Sequence, residues 1–320
     1  TTLFRSSRLR DIEVARLEAP NGKAQGPSLD ISGSLQAMTL IGNAAGNLLR
    51  GGKNRDLLDG GAGNDTLHGS AAGDSAGDTL SGGAGNDVYY LYKAGDTITD
   101  SAGKDLVYSF IDYTLAGDLE DLVLQGDAVR GTGNALNNRI EGQQTRACTL
   151  DGGAGKDTLI GGSGNDLFLL DNSGDVIIDS GGDNSVKAWA SVDLRKFNAR
   201  ITSVSLQGDG NINATAGLNV AATLTGNAGR NVLTGSAGSD VLSDWGGGAD
   251  TLAGGKGDDS YNVYDTRTVV VEKANEGIDT VTAFVEAHTL AANVENLVLA
   301  DTASRYGVGN NLANRITAVI

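Results

Sequence analysis

One nine-residue pattern limits what this chain can fold into more than any other feature. Gly60-Gly61-Ala62-Gly63-Asn64-Asp65-Thr66-Leu67-His68 returns as Gly82-Gly83-Ala84-Gly85-Asn86-Asp87, as Gly152-Gly153-Ala154-Gly155-Lys156-Asp157 and as Gly161-Gly162-Ser163-Gly164-Asn165-Asp166. Glycine holds positions one, two and four, an acid holds six, and a large apolar residue holds eight: Leu67, Tyr89, Leu159 or Phe168. The glycines permit turns with positive φ and let backbone carbonyls crowd around one point. The sixth-position aspartate adds a hard anionic oxygen. Carbonyls and carboxylates together are the donor set of a calcium ion, which takes six to eight oxygens.

Positions six to nine read as a short strand with one inward apolar residue. One such unit cannot bury its apolar face alone, whereas stacked units can, which predicts a solenoid. A glycine-rich flexible linker is the competing reading. It is disfavoured because linkers lack a periodic Leu, Val and Tyr.

In these four segments and several weaker ones, the chain resembles the RTX (repeats-in-toxin) family of calcium-binding secreted proteins. The resemblance implies an all-β fold, a right-handed parallel β-roll or β-solenoid with calcium ions bound in the turns. Two nonapeptides would make one coil, and each ion would sit between a turn and the turn two repeats later. It also implies secretion by type I machinery through an uncleaved C-terminal signal, and a secreted or cell-surface location.

Composition bounds the alternatives. The 320 residues contain 48 glycines but only 2 prolines, which is neither collagen nor Pro-rich linker composition. The net charge of −16 opposes binding to nucleic acid or, unaided, to anionic membrane. Cys148 is the single cysteine, so no intrachain disulfide forms, and a metal is the staple left to an extracellular protein. No apolar run reaches the roughly 18 residues of a membrane span. Neither an initiator Met nor a signal peptide opens the chain, and Asn314-Arg315-Ile316-Thr317-Ala318-Val319-Ile320 stops where another glycine-rich turn is due. We expect a fragment of a longer protein.

The repeats fall into three clusters, around Asp56, Asp65, Asp78 and Asp87, around Asp157 and Asp166, and around Asp240, Asp250 and Asp259. Gly69 to Ala72 reads as a four-residue insertion and Asp244 as a one-residue insertion before Trp245. Glu120-Asp121-Leu122-Val123-Leu124, Ser203-Val204-Ser205-Leu206 and Glu295-Asn296-Leu297-Val298-Leu299 close three larger units. The expected organisation is a cap and the end of a preceding unit over 1–41, a first unit over 42–142, a degenerate second over 143–225 and a third over 226–320, all in one solenoid. Asp87, Asp96 and Asp105 keep a spacing of nine, as do Asp166, Asp175 and Asn184, so the coil is expected to run on between clusters. An intervening βαβ or sandwich module is the alternative. Only Arg8 to Glu18 is compatible with a helix, and it reads equally as a strand capping the solenoid edge.

The expected metal ligands are the carboxylates of Asp56, Asp65, Asp78, Asp87, Asp96, Asp105, Asp157, Asp166, Asp175, Asp240, Asp250 and Asp259. They are joined by the turn carbonyls of Gly51, Gly60, Ala62, Asn64, Gly73, Gly82, Ala84, Asn86, Gly152, Gly161, Gly235 and Gly254. The favourable pairs are Asp56 with Asp78, Asp65 with Asp87, and Asp240 with Asp259. Asp78 with Asp96, Asp87 with Asp105 and Asp157 with Asp175 have fewer glycines and should form weaker or rim sites. Asn47, Asn138, Asn231 and Asn314 hold the same phase with an amide and are expected to close their turns without metal, as is Cys148 in a turn stripped of glycine. The pairs suggest three to six ions. Repulsion of roughly 4 kcal/mol between carboxylates ~4 Å apart opposes folding until cations arrive.

No catalytic constellation appears. His68 and His288 are far apart, no zinc or serine-hydrolase motif is present, and the phase of the carboxylates in the turns explains them better than a glycosidase pair. Three functions remain: a calcium-dependent structural, secretion or surface-layer module, the RTX tail of a secreted enzyme or toxin, and a sugar-active solenoid. Neighbouring repeats, cell-surface proteins and glycans are the further partners expected. A line of exposed aromatics would favour glycans, with Trp189 and Trp245 the large candidates outside the core.

Overall fold

The computed structural model describes residues 4–5, 14–16, 28–30, 35–69, 76–300 and 306–319, and the statements below concern these residues. The described chain is a parallel β-solenoid whose one helical element is a 3-10 turn at Leu194–Lys196. It divides into two compact units, residues Thr1–Gln144 with Cys148–Ile160, and residues Thr145–Ala147 with Gly161–Ile320.

In the first unit, each short strand pairs in parallel with the strand two repeats on. Leu48–Arg50, Thr66–His68, Val88–Leu91, Leu106–Ser109, Asp121–Leu124, Arg139–Glu141 and Thr158–Ile160 form one wall in that order. Val14–Arg16, Thr39–Ile41, Leu57–Ala62, Thr79–Ala84 and Thr97–Thr99 form the facing wall, continued as a separate sheet by Tyr113–Thr114, Arg130–Thr132 and Thr149–Asp151. Strand alternation sends every second residue inward. Leu49, Leu67, Tyr89, Val107, Leu122, Ile140 and Leu159 therefore stack in one column with no exposed surface, and Leu40, Leu58 and Leu80 face them. Each such side chain contributes about 1.5–3 kcal/mol of burial, and only because a neighbouring coil covers it.

The second unit repeats the plan. Leu167–Leu170, Asn184–Ala188, Ile201–Leu206, Thr223–Thr225, Val241–Ser243, Ser260–Val263, Thr280–Ala283, Asn296–Leu299 and Arg315–Ala318 are successive parallel neighbours. Phe168, Val204, Leu224, Leu242, Tyr261, Val281 and Leu297 form its buried column, with Leu233 and Leu252 opposite.

Three expectations are settled by these elements. The coil does continue where glycine thins out, because Thr97–Thr99 and Leu106–Ser109 pair in register with the strands before them. No sandwich or βαβ module intervenes among the described residues. Of Arg8 to Glu18, the described part is the strand Val14–Arg16, paired with Thr39–Ile41, and the remainder lies outside the described residues.

The register of nine is looser than the sequence suggests. Equivalent positions of successive coils lie 18 residues apart at Asn47 and Asp65, 22 at Asp65 and Asp87, and 15 at Asp105 and Glu120. The strands stay in step despite the difference, as Thr66 with Val88 and Leu106 with Asp121 show. The glycine-rich segment is also not wholly a turn. Leu57–Ala62 and Thr79–Ala84 remain paired through Gly61 with Gly83 and Ala62 with Ala84. Gly61 and Gly83 have φ of 97° and 100°, a region closed to most side chains, so the ladder bends there without breaking.

Candidate metal centre

The sixth residue of each repeat turns its side chain into the corner between two coils. Its backbone N–H donates to the sixth-position side chain of the next coil, which makes a ladder of side-chain acceptors. In the first unit, Asn47 N–H donates to Asp65 Oδ1 at 2.6 Å, Asp65 N–H to Asp87 Oδ1 at 2.7 Å and Asp87 N–H to Asp105 Oδ1 at 2.7 Å. On the facing wall, Met38, Asp56 and Asp78 N–H donate to Oδ1 of Asp56, Asp78 and Asp96 at 2.7, 2.9 and 3.0 Å. Asn138 N–H donates to Asp157 Oδ1 at 2.8 Å. In the second unit, Ala222, Asp240 and Asp259 N–H donate to Oδ1 of Asp240, Asp259 and Asp279 at 2.6, 2.7 and 2.8 Å, and Asn231 N–H to Asp250 Oδ1 at 2.7 Å. The expected pairs of Asp56 with Asp78, Asp65 with Asp87, and Asp240 with Asp259 are thus adjacent rungs.

That ladder engages one oxygen of each carboxylate. The other, Oδ2, is buried and without a hydrogen-bond partner in Asp65, Asp87, Asp105, Asp250, Asp259 and Asp279. Those six residues are at most 1% exposed. A buried anionic oxygen with nothing to satisfy it is costly, and carboxylates with turn carbonyls are a donor set that could hold a hard cation. Of the aspartates expected to be weaker, Asp105 departs from the expectation, since its Oδ2 is as buried and partnerless as that of Asp65, whereas Asp96 and Asp175 differ. Asp96 Oδ2 accepts from Tyr92 and Lys93 N–H at 3.1 and 3.2 Å, and Asp175 Oδ2 accepts from Asn172 N–H at 3.1 Å. Asp56, Asp166 and Asp240 also accept from their own turns, at Gly52, Gly162 and Ser236 N–H.

The first glycine of the turn makes room for this carboxylate. A Cβ on Gly60, Gly82, Gly152, Gly161, Gly235 or Gly254 would overlap Oδ2 of Asp65, Asp87, Asp157, Asp166, Asp240 or Asp259. The carbonyls of Gly60, Gly82, Gly152 and Gly254 point at the first glycine of the turn one coil earlier: Gly42, Gly60, Gly133 and Gly235. The Asn64 carbonyl points at Gly46 in the same way, and Ala84 carbonyl accepts Gly63 N–H at 2.7 Å. Ala62 pairs with Ala84 along the ladder, and Asn86 N–H donates to Asn64 Oδ1 at 2.9 Å. At Gly51, Gly161 and Gly235 it is the N–H that is engaged, by the carbonyls of His68, Ile178 and Ala253. Gly73 lies outside the described residues.

The amide rungs are built differently. Asn47, Asn138, Asn231 and Asn314 each accept, at Oδ1, the N–H of the residue four before, at 2.7–2.8 Å. The Nδ2 groups of Asn138, Asn231 and Asn314 donate to carbonyls of the preceding coil, as in Asn138 to Leu119 at 3.0 Å. An amide therefore supplies both the acceptor for the turn and the positive end that a carboxylate lacks. Cys148 Sγ stands in the same place and accepts Gln143 N–H at 3.2 Å.

Burial raises the carboxyl groups left by this arrangement. Asp65, Asp105 and Asp259 move from 3.8 to about 7, and Asp87 and Asp250 to about 6. Desolvation is the main cause in each, ladder N–H bonds oppose it, and neighbouring carboxylates such as Asp87 beside Asp65 add to it. Asp240 and Asp279 move in the same direction, also mainly by burial.

Several site residues were not anticipated from the sequence. Asp100 and Glu272 join Asp87 and Asp105, and Asp259 and Asp279, in two clusters whose ligand atoms all lie within 4.8 Å of one another. At that distance each pair of charges repels by on the order of 3–4 kcal/mol at an effective dielectric of 20. The signal for them was a spacing of eleven: Tyr89 Oη donates to Asp100 Oδ1 at 2.6 Å, and Tyr261 Oη donates to Glu272 Oε1. Asp244, read as an insertion, is fully buried and accepts from Tyr264 and Asp265 N–H at 2.7 and 3.2 Å. The fifth position has its own outer ladder, in which Asn64, Asn86 and Asp258 side chains accept the next coil's fifth-position N–H from Asn86, Lys104 and Ile278.

In the first unit the aromatics on one wall are half-buried. His68, Tyr90 and Tyr108 stack along the solenoid at 4.0 and 4.9 Å with interplanar angles of 5° and 19°, so their faces cover one another. In the second unit Tyr264 stacks on Phe284 and meets Trp245 edge-on, leaving Trp245 60% exposed.

The comparison with known proteins agrees with this geometry. A family model described as RTX calcium-binding nonapeptide repeat (4 copies) matches residues 41–76, 70–91, 149–168, 216–243 and 246–262. The chain therefore carries RTX calcium-binding repeats in these segments. It is also similar to a protein of Rhizobium meliloti (strain 1021) named endo-1,3-1,4-beta-glycanase ExsH, 39% identical over 66 residues. That match covers 21% of this chain and 14% of the relative's length. Among the described residues no helix is long and apolar enough to cross a membrane.

Proposed function

We propose that this chain is a calcium-dependent repeat module of a secreted or cell-surface bacterial protein. It folds on meeting extracellular calcium and serves a structural, secretion or adhesive, surface-layer role. The observation that carries this reading is the set of buried, partnerless Oδ2 atoms on Asp65, Asp87, Asp105, Asp250, Asp259 and Asp279. Calcium would be held by these oxygens and by turn carbonyls such as those of Gly60, Gly82 and Gly254, in about three to six ions per chain. Carboxylates and carbonyls are the hard oxygen set that selects calcium over softer metals. With calcium at 100 times its dissociation constant, each filled site adds about 2.7 kcal/mol. Delivery would be through type I secretion machinery.

A second reading is favoured by the matched relative: an RTX tail attached to a secreted enzyme whose catalytic domain lies outside these 320 residues. The relative's name is that of a glycanase, and the shared 66 residues lie within a small part of it. Circular dichroism tests the common core of both readings. A chain in chelator should be largely unfolded and gain β signal at millimolar calcium. Identical spectra in the two conditions would sink the reading.

A further inference from the structure

Two of the repeat runs end in the same unusual way. The run ending at Asp259 is followed by Glu272 and Asp279, and the run ending at Asp87 by Asp100 and Asp105. At the first of these, Asp259 Oδ2, Glu272 Oε2 and Asp279 Oδ2 are all partnerless, and the three residues are 1%, 8% and 1% exposed. Glu272 does not drift into this place. Its other oxygen takes the hydroxyl of Tyr261, a side chain with no exposed surface, which also accepts Gly254 N–H at 2.7 Å. At the second, Tyr89 Oη and Gly83 N–H hold Asp100 Oδ1 at 2.6 and 3.2 Å beside Asp87 and Asp105, whose Oδ2 atoms are partnerless. A glutamate then seals each rung. Asp279 N–H donates to Glu295 Oε2, and Asp105 N–H to Glu120 Oε2, both at 2.8 Å.

The central run supplies an internal comparison. Phe168 stands where the tyrosines stand, and Asp179 follows it at the same spacing of eleven. The third acid is replaced by Asn184, whose Nδ2 donates to Asp179 Oδ2 at 2.8 Å and whose Oδ1 accepts Asp166 N–H at 2.7 Å. There an amide supplies the positive end, and Asn184 N–H pairs with the Arg200 carbonyl in place of a glutamate.

We propose that Asp259, Glu272 and Asp279, and likewise Asp87, Asp100 and Asp105, form reinforced hard-cation sites in which a third carboxylate, aimed by a buried tyrosine, closes the end of a repeat run. The proposal rests on the calcium reading above and adds to it: Asp100 and Glu272 are ligands outside the sixth-position register, and these two sites fill first. Ligand charge count is a principal control on calcium affinity, so three carboxylates bind calcium more tightly than two. The tyrosines are positioning residues. Their hydroxyls fix which carboxylate oxygen faces the ion.

Calcium titration of the full chain against a competing chelator tests this. Wild type should show two ions in its tightest class. Glu272→Gln and Asp100→Asn keep the size of the side chain and an oxygen for the tyrosine hydroxyl. Each should move one ion out of that class, with at least about tenfold weaker binding, or ~1.4 kcal/mol. Asp179→Asn should leave both ions in place. Tyr261→Phe, which changes no charge, should weaken one ion by a smaller factor and delete part of the tyrosine near-ultraviolet change that accompanies calcium binding in wild type. Wild type binding calcium while Glu272→Gln and Asp100→Asn titrate as it does would overturn this proposal and leave the calcium reading intact. Wild type taking up no calcium would overturn both.

Discussion

Replacing Asp65 by asparagine should change the sign of its effect with calcium. Asp65 is 1% exposed, its Oδ1 takes Asn47 N–H, and its Oδ2 has no partner. Burial, with Asp87 and Asp59 nearby, lifts its carboxyl from 3.8 to about 7. Holding it ionised in the ion-free fold at pH 8 therefore costs about 4 kcal/mol, an upper bound because real sites relax. Asparagine carries no such cost and has a precedent in the same column, where Asn47 and Asn138 close their own turns through Oδ1, as Asn231 does in the second unit. Asp65→Asn should thus stabilise the fold in chelator by about 2–4 kcal/mol. With calcium at 100 times its dissociation constant it should instead forfeit the ~2.7 kcal/mol supplied by its site. Urea unfolding followed by far-ultraviolet circular dichroism, in chelator and in calcium, measures both arms. If wild type has no folded baseline in chelator, the gain appears as recovered β signal. A variant less stable than wild type in chelator, or one with an undiminished calcium increment, would refute this account of Asp65.

Three further outcomes are expected. The ion-free fold should be more stable at pH 5 than at pH 8. The raised carboxyls contribute stability below their unfolded value of 3.8 and lose it as pH rises through about 6 for Asp87 and Asp250 and about 7 for Asp65, Asp105 and Asp259. Calcium affinity should run the other way, weakening below pH 6 with protons released on binding; calorimetry in buffers of different ionisation heat reads that release, and its absence near pH 6.5 would contradict the assignment. Gly82→Ala should cost about 1–3 kcal/mol in the calcium-bound fold, because its Cβ would meet Asp87 Oδ2, Tyr89 Oη and Asp100 Oδ1, whereas Gly117→Ala, whose Cβ meets nothing within 4 Å, should stay within ~0.5 kcal/mol on thermal unfolding.

The phase of Leu67, Tyr89, Leu159 and Phe168 was enough to read the solenoid, because a residue that must be covered by the next coil repeats with that coil. The sixth-position column was legible for the same reason, and the exchange of Asp for Asn at positions 47, 138 and 231 marked where turns close through an amide. Asp100 and Glu272 were not legible, since an acid at the head of a turn breaks the glycine pattern that defines the register. The longer turn from Glu272 to Asp279 hid the second site further. Glu120 and Glu295 escaped because their coils are short, 15 and 16 residues, so no fixed spacing points to them. The outer ladder through Asn64 and Asn86 was visible only as a recurrent asparagine, whose use as an acceptor for the next coil needed the stacked backbone to be seen.

The most direct test of the central claim is an anomalous-difference map from crystals of the chain grown in calcium. Peaks should lie beside Oδ2 of Asp65, Asp87 and Asp259, and the turns of Asn47, Asn138 and Asn231 should carry none. Peaks at the asparagine turns, or an empty map along a folded aspartate column, would contradict the account.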